Sequence, residues 1–368
     1  MKRKTYLIFI LVSLALSFYI GWKLGNNNIL ESQIGKIDIV KQRPLDKYTI
    51  ENLSNADIKP GKFEINKFDS GELKEKINED RDYTSYLFTF EFNPNLDGKT
   101  IKKTTGQINL PSGSTASKFS IIVMLRGYIN QETFQTGDGT RRAAEVFAKN
   151  GFITIAPDFL GYGGSDEEEA DIFETRFQTY VTILSLLQTL ENSQSNPGLI
   201  TVSDQITKQL QPEADWPMAK INQSSIFLWG HSNGGQIALT ILEITGEAYP
   251  TTLWAPVSKQ FPYSVLYYTD QSEDRGKLIR HELSEFEKDY NPDLYSLDLY
   301  LDRIKAPIQI HQGLNDDAVP YSWSDRLVKE LLNLNIDYYK YPGADHNMNP
   351  VWNTVVSRDL EFFKKYTK

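Results

Sequence analysis

Trp229-Gly230-His231-Ser232-Asn233-Gly234-Gly235 is the stretch from which the rest of the chain can be read. The run entering it, Ser225-Ile226-Phe227-Leu228-Trp229, is apolar and β-prone, and Gln236 to Glu243 leaves it as a helix-forming run. A Gly-x-Ser-x-Gly between a strand and a helix forms a nucleophile elbow. The turn puts Ser232 in a strained backbone conformation, and Gly230 and Gly234 lack the side chains that would collide there. Ser232 is thereby lifted above the sheet edge, facing a helix N-terminus whose free N–H groups favour developing negative charge.

The composition suits a folded chain that carries such a site. Its 368 residues are long enough for two or three domains, and 40% apolar with 24% charged residues is ordinary for a globular protein. A net charge of −9, with no basic stripe interleaved with aromatics, argues against nucleic acid as a partner. The absence of cysteine excludes disulfides, thiolate catalysis and Cys-ligated metals.

The first 25 residues read as a membrane anchor. Lys2, Arg3 and Lys4 precede an uncharged apolar run from Tyr6 to Trp22, which spans about 25 Å as a helix. Basic residues ahead of the run predict a cytoplasmic N-terminus and export of the chain beyond the run. Ala15-Leu16-Ser17 resembles a signal-peptide cleavage site. Phe18, Tyr19 and Ile20 prolong the apolar run beyond it, so an uncleaved single-pass anchor is the expectation, with secretion after cleavage as the alternative.

Residues 26–81 read as a polar spacer followed by an N-terminal extension with short strands such as Lys62 to Asn66, and the main domain is expected from 82 to 368. Tyr86 to Phe92 alternates as a half-buried strand, and Thr104 to Leu110 reads as its hairpin partner across Asp97-Gly98. Phe119 to Leu125 and Phe152 to Ala156 are continuous apolar runs, as in strands covered on both faces. Further strands are expected at 251–255, 308–311 and 336–341, with helices at 140–150, 173–191, 322–334 and 351–366, and an irregular connector at 192–220. This alternation implies an α/β fold, a mostly parallel doubly wound sheet with the Tyr86–Leu110 pair as its antiparallel edge. About 256–303 is too long for a crossover and reads as a helical cap or lid insertion, whose Tyr263, Tyr267, Tyr268, Tyr295 and Tyr300 suit either a pocket lining or packing onto the domain.

A serine hydroxyl needs a base to take its proton, and the chain has four histidines. His231 lies within the elbow and points away from the hydroxyl, His311 falls inside a strand, and His281 sits among Arg280, Glu282 and Glu285 on a solvated face. His346 follows the last strand in a loop that opens on the edge where Ser232 stands, and it is the expected base. A carboxylate must orient the imidazole, and Asp316 and Asp317 are adjacent candidates in the loop after the preceding strand. Asp345 is a weaker rival because it neighbours the base. The order Ser, Asp, His is the one such a sheet requires.

These motifs resemble those of the α/β-hydrolases, and the C-terminal half is similar to the catalytic domain of the prolyl oligopeptidase family of serine peptidases. Gly230 to Gly235 matches Gly-x-Ser-x-Gly-Gly, Gly313 to Val319 matches Gly-x-x-Asp-x-x-Val, and Asp345-His346 matches the family's last motif. The resemblance covers roughly Tyr86 to Tyr366 and assigns the acid to Asp316. It implies an α/β-hydrolase fold and a Ser232–His346–Asp316 hydrolase acting through an acyl-enzyme on a peptide or a small ester, with no metal or organic cofactor. It also implies that Asp158, in Pro157 to Ser165, is structural. There are two departures. The region before Tyr86 is too short for the β-propeller of that family. In addition, no tyrosine stands where those enzymes place an oxyanion hydroxyl, and Tyr128 lies just beyond. The oxyanion hole is therefore expected from the backbone N–H groups of Asn233 and Tyr128. Arg126 is expected to pair with a carboxylate such as Asp158, the alternative being a sensor of substrate charge. A catalytically inactive adhesion or binding protein on the same fold is the remote alternative.

Overall fold

The computed structural model describes residues 42–66, 82–112, 119–193, 195–203, 221–331 and 334–367. Its strands are β1 (Lys62–Asn66), β2 (Tyr83–Phe92), β3 (Lys102–Pro111), β4 (Phe119–Leu125), β5 (Ile153–Pro157), β6 (Ile200–Val202), β7 (Ile221–His231), β8 (Thr251–Trp254), β9 (Ile308–Gly313) and β10 (Ile336–Tyr341). They form one ten-stranded sheet in the order β10-β9-β8-β7-β4-β5-β3-β2-β1-β6. Every ladder from β5 through β4 to β10 is parallel, while β3–β5, β2–β3 and β1–β2 are antiparallel.

The period-two alternation of the central strands explains why helices cover both faces. Ile121, Val123 and Leu125 of β4 enter one buried cluster with Ile226 and Leu228 of β7. Ile122 and Met124 enter a second cluster with Phe227 and Trp229. With neither face polar, neither can meet water. The helices are α1 (Ile50–Asn55), α2 (Arg141–Lys149), α3 (Ile172–Asn192), α4 (Asn233–Thr245), α5 (Tyr263–Leu266), α6 (Lys277–Phe286), α7 (Tyr321–Glu330) and α8 (Trp352–Tyr366). Apolar residues of α3 and α4 fill the first cluster, and those of α2 and α8 fill the second.

The N-terminal side differs from the sequence expectation. The chain divides after Pro44, and the compact unit runs from Leu45 rather than from 82. Leu45, Tyr48, Ile50 and Leu53 are buried in the main core, and Phe63 stacks on Phe88 with ring centroids 4.5 Å apart. The β2–β3 hairpin is therefore not the edge. Strand β1 pairs outside β2, and β6, from the expected irregular connector, pairs outside β1. Phe63 and Ile65 alternate with solvent-facing residues along β1, so the strand has an apolar side that only the core can accept.

Between β8 and β9, residues 256–303 hold two α-helices, α5 and α6, and four short 3-10 helices. Phe261, Phe286 and Tyr295 pack against Phe173 and Phe177 of α3, with Tyr295 stacked on Phe177 at 4.7 Å. Tyr295 thus serves packing, whereas Tyr263 and Tyr267 remain exposed. No helix among the described residues is long and apolar enough to cross a membrane. The anchor expected at 1–25 and most of the spacer lie outside the described residues.

Replacing Phe63 with Ala should lower the unfolding free energy by about 3–5 kcal/mol, the usual cost of emptying a large core position. Urea melts check this; a residue in a true spacer would shift the value by less than about 0.5 kcal/mol.

Candidate active site

Strand β7 ends at His231 and α4 begins at Asn233, leaving Ser232 alone at the turn with φ 57° and ψ −119°. The two glycines explain how that turn closes. A Cβ on Gly230 would lie 2.7 Å from the Gly234 oxygen, and one on Gly234 would lie 1.9 Å from the Leu125 oxygen. Neighbouring backbone holds the strained residue on both sides. Ser232 N donates to the Trp254 oxygen at 2.9 Å, and the Ser232 carbonyl accepts from Val257 N at 3.0 Å. Gly127 closes in from β4, where an added Cβ would stand 3.0 Å from Ser232 Cβ.

The loops after β9 and β10 open on the same carboxyl edge of the sheet. There His346 Nδ1 lies 2.8 Å from Asp316 Oδ2. Asp316 Oδ1 accepts from Ala318 N at 2.9 Å and Val319 N at 2.8 Å, and Gln312 Nε2 donates to Oδ2 at 3.2 Å. Burial pushes the Asp316 carboxyl up, but the hydrogen bond from His346 and those two amides outweigh it and hold it below the ordinary carboxylate value. An ionised Asp316 fixes the proton on His346 Nδ1 and leaves Nε2 as an acceptor. Asp317 is exposed, and Asp345 is occupied within its own loop by the N–H groups of Asn347 and Asn349.

The structure thus pairs His346 with Asp316, and His231, next to Ser232 in the elbow, touches the His346 loop. Among the described residues Ser232 Oγ makes no hydrogen bond to His346; contacts of this kind are often loose before substrate binds. Two of the other histidines lie elsewhere. His281 is exposed on α6, and His311 is buried with Asp359 at 3.0 Å and Tyr341 at 2.8 Å.

Asn233 opens α4, where a backbone N–H has no partner within the helix. Arg126, only 6% exposed, corrects one expectation. It forms no ion pair with Asp158, whose carboxylate instead accepts from the Thr105 and Thr136 hydroxyls, both at 2.7 Å. Its guanidinium donates to the carbonyls of Gly127 at 3.0 Å and Asp158 at 2.8 Å, and lies over Tyr162 at 4.0 Å and Phe134 at 4.7 Å. C=O and N–H of a trans peptide point in opposite directions. Holding the Gly127 oxygen therefore fixes the direction of the Tyr128 N–H, while the Tyr128 side chain is 77% exposed.

His231 does more than point away from Ser232. Its Nε2 is 3.0 Å from the His346 carbonyl, and the two rings are 4.7 Å apart. Sequence reasoning missed this contact, as it missed Gln312, because carbonyl acceptors leave no trace in a motif. On the insertion, the ring of Tyr268 packs against Trp323 and Tyr267, with Asp316 close enough for its charge to add to the burial that raises the phenol. Beside Tyr128 and Asn233 lies a cleft of about 320 Å³, walled by Phe159, Leu160, Arg176 and Ile237.

Burial, and then the neighbouring His346, push His231 down to about 4. An unfolded imidazole takes up its proton below about 6.5, so between these values the unfolded chain binds more protons and stability falls as pH drops. Thermal melts from pH 7 down to pH 4 should show this decline, and His231→Gln should flatten it. An unchanged slope in the variant would contradict the assignment.

Residues 213–368 match the prolyl oligopeptidase family, and residues 121–248 match the alpha/beta hydrolase fold. Among curated proteins, a Caenorhabditis elegans dipeptidyl peptidase family member 6 is 26% identical over 144 residues, 36% of this chain and 19% of that protein. The chain therefore spans about a fifth of that relative's length. Among solved structures, an acetyl xylan esterase from Paenibacillus sp. R4 superposes with a TM-score of 0.55 at 16% identity, covering 85% of this chain and 91% of that one. Acetyl xylan esterase 1 from Thermoanaerobacterium gives 0.55 at 14% identity over 87% and 94%. A putative dipeptidyl aminopeptidase IV from Bacteroides ovatus gives 0.51 at 14% identity over 76% of this chain and 36% of that one.

Proposed function

We propose that this chain, a serine hydrolase of the α/β-hydrolase fold resembling the prolyl oligopeptidases, works through an acyl-enzyme on Ser232. The observation that carries this reading is the 2.8 Å contact of His346 with Asp316 beside the Ser232 elbow. Ser232 Oγ attacks the substrate carbonyl and its proton passes to His346 Nε2, while Asp316 stabilises the imidazolium. The N–H groups of Asn233 and Tyr128 receive the oxyanion, each donor of this kind contributing about 2.7–4 kcal/mol to the transition state. The leaving group departs with the proton from His346, and water repeats the sequence to release the acid.

The match over residues 213–368 supports a peptidase, cleaving a peptide bond by this route. The cleft beside Tyr128 and Asn233 has room for a small acyl group, and carboxylic ester hydrolysis on the same three residues is the second reading. The basic residues ahead of the apolar run at 6–22 support a single-pass anchor that holds the hydrolase outside the cytoplasm.

Hydrolysis of 4-nitrophenyl esters and of a panel of peptide amides tests the chemistry. Ser232→Ala and His346→Ala should each lower kcat by about 10⁴-fold or more. Undiminished turnover by Ser232→Ala would defeat the reading, and wild-type inactivity on every substrate would favour an inactive binding protein. Arg126→Met should lower kcat by about tenfold with little change in KM, because it loosens the Tyr128 peptide without removing the donor. A change confined to KM would count against that role. Fractionation with N-terminal sequencing tests the anchor: a soluble mature protein beginning at Phe18 would refute it.

A further inference from the structure

The cleft beside Asn233 holds a guanidinium that the mechanism above does not use. Arg176, on α3, donates from Nη2 to Gln236 Oε1 at 2.8 Å. Gln236 is itself fixed. It is 4% exposed, and its Nε2 donates to Tyr180 OH at 2.8 Å and Thr240 Oγ1 at 3.0 Å. These bonds turn Oε1, the acceptor end of the amide, toward the arginine. The Nε of Arg176 is sealed from solvent and has no partner.

No carboxylate lies within 4.0 Å of Arg176 among the described residues. Two glutamates share the cleft, and neither forms an ion pair with the arginine. Glu169 is paired with Lys102 at 2.6 Å, and Glu168 is exposed to solvent. Arg176 is half-buried, and a guanidinium with its Nε sealed and no carboxylate partner suits an anion that arrives with the substrate. Gln236 lies one helical turn after Asn233, which places Arg176 along the wall that an acyl group occupies when its oxyanion meets the Asn233 N–H.

We propose that this cleft is an acyl subsite for a short group ending in a carboxylate, with Arg176 as its specificity-determining residue. The inference rests on Ser232 being the nucleophile. The same chemistry is presented by the monoester of a dicarboxylic acid and by an acidic side chain on the acyl side of a peptide bond, and the test has an arm for each.

Wild-type kcat/KM is compared for 4-nitrophenyl hydrogen succinate against 4-nitrophenyl butyrate, and for aspartyl and glutamyl against alanyl 4-nitroanilides. The acidic member of a pair should be preferred by about tenfold or more, as expected for one charge-assisted contact. The ester arm responding alone identifies the dicarboxylic monoester, and the anilide arm alone the acidic residue. In Arg176→Gln the acidic-to-neutral ratio should fall by about tenfold, and Arg176→Lys should retain part of it. Equal or inverted wild-type preference, or a ratio unchanged in Arg176→Gln, overturns the proposal. If Arg176→Gln does not fold, or no substrate turns over, wild-type labelling by a fluorophosphonate decides. Glutarate should slow the labelling and butyrate should not, and labelling indifferent to glutarate overturns the proposal. A failure of the Ser232 reading looks different, since turnover or labelling would then persist in Ser232→Ala.

Discussion

The fit between Gly230, Gly234 and the end of β4 is the constraint on which the rest depends. With 1.9 Å between a notional Cβ on Gly234 and the Leu125 oxygen, α4 packs backbone against backbone on the strand beside it. That approach drives Ser232 into positive φ, at a cost on the order of 1–3 kcal/mol that the surrounding fold must hold in place. The bonds from Ser232 N to Trp254 O and from Val257 N to Ser232 O do this from β8 and the loop that follows it. The strained residue is thus clamped between the two strands that flank β7, and its hydroxyl has little choice of position.

The other groups reach the same place through the parallel sheet. Strands β9 and β10 follow β8 in order, so the loops bearing Asp316 and His346 emerge beside the elbow and on its level. Buried polar contacts then hold the loops. Gln312 holds Asp316, and Ser324 holds Gln312 at 2.7 Å; His231 holds the His346 carbonyl, and Arg126 holds the Gly127 carbonyl. Gln312, His231 and Arg126 each reach a loop from a strand or its end, and Ser324 on α7 steadies Gln312 from behind. A site needing sub-ångström placement is in this way built on rigid elements although its acid and base lie on loops.

Much of this was legible in the residues because it follows from sterics and periodicity. Glycines two residues either side of a serine, apolar runs covered on both faces, and an acid and a base after successive parallel strands leave few alternatives. What escaped was set by contacts with no sequence period. Nothing in Leu45 to Asn66 shows that Phe63 stacks on Phe88, and a strand as short as β6 has too few residues to register. Arg126 and Asp158 were expected to pair because opposite charges attract. In the fold, the arginine satisfies backbone carbonyls and aromatic faces, while the aspartate takes two threonine hydroxyls. Arg176 gave no signal, since its meaning comes from a glutamine on another helix.

The central claim is that Ser232 is a nucleophile made reactive by His346 and Asp316. Mass spectrometry of the protein after reaction with a fluorophosphonate tests it most directly, by mapping the site of the covalent adduct and timing its formation. The account predicts one adduct, on the peptide containing Ser232, forming far more slowly in Asp316→Asn. An adduct on another residue, or an equal rate in that variant, would contradict it.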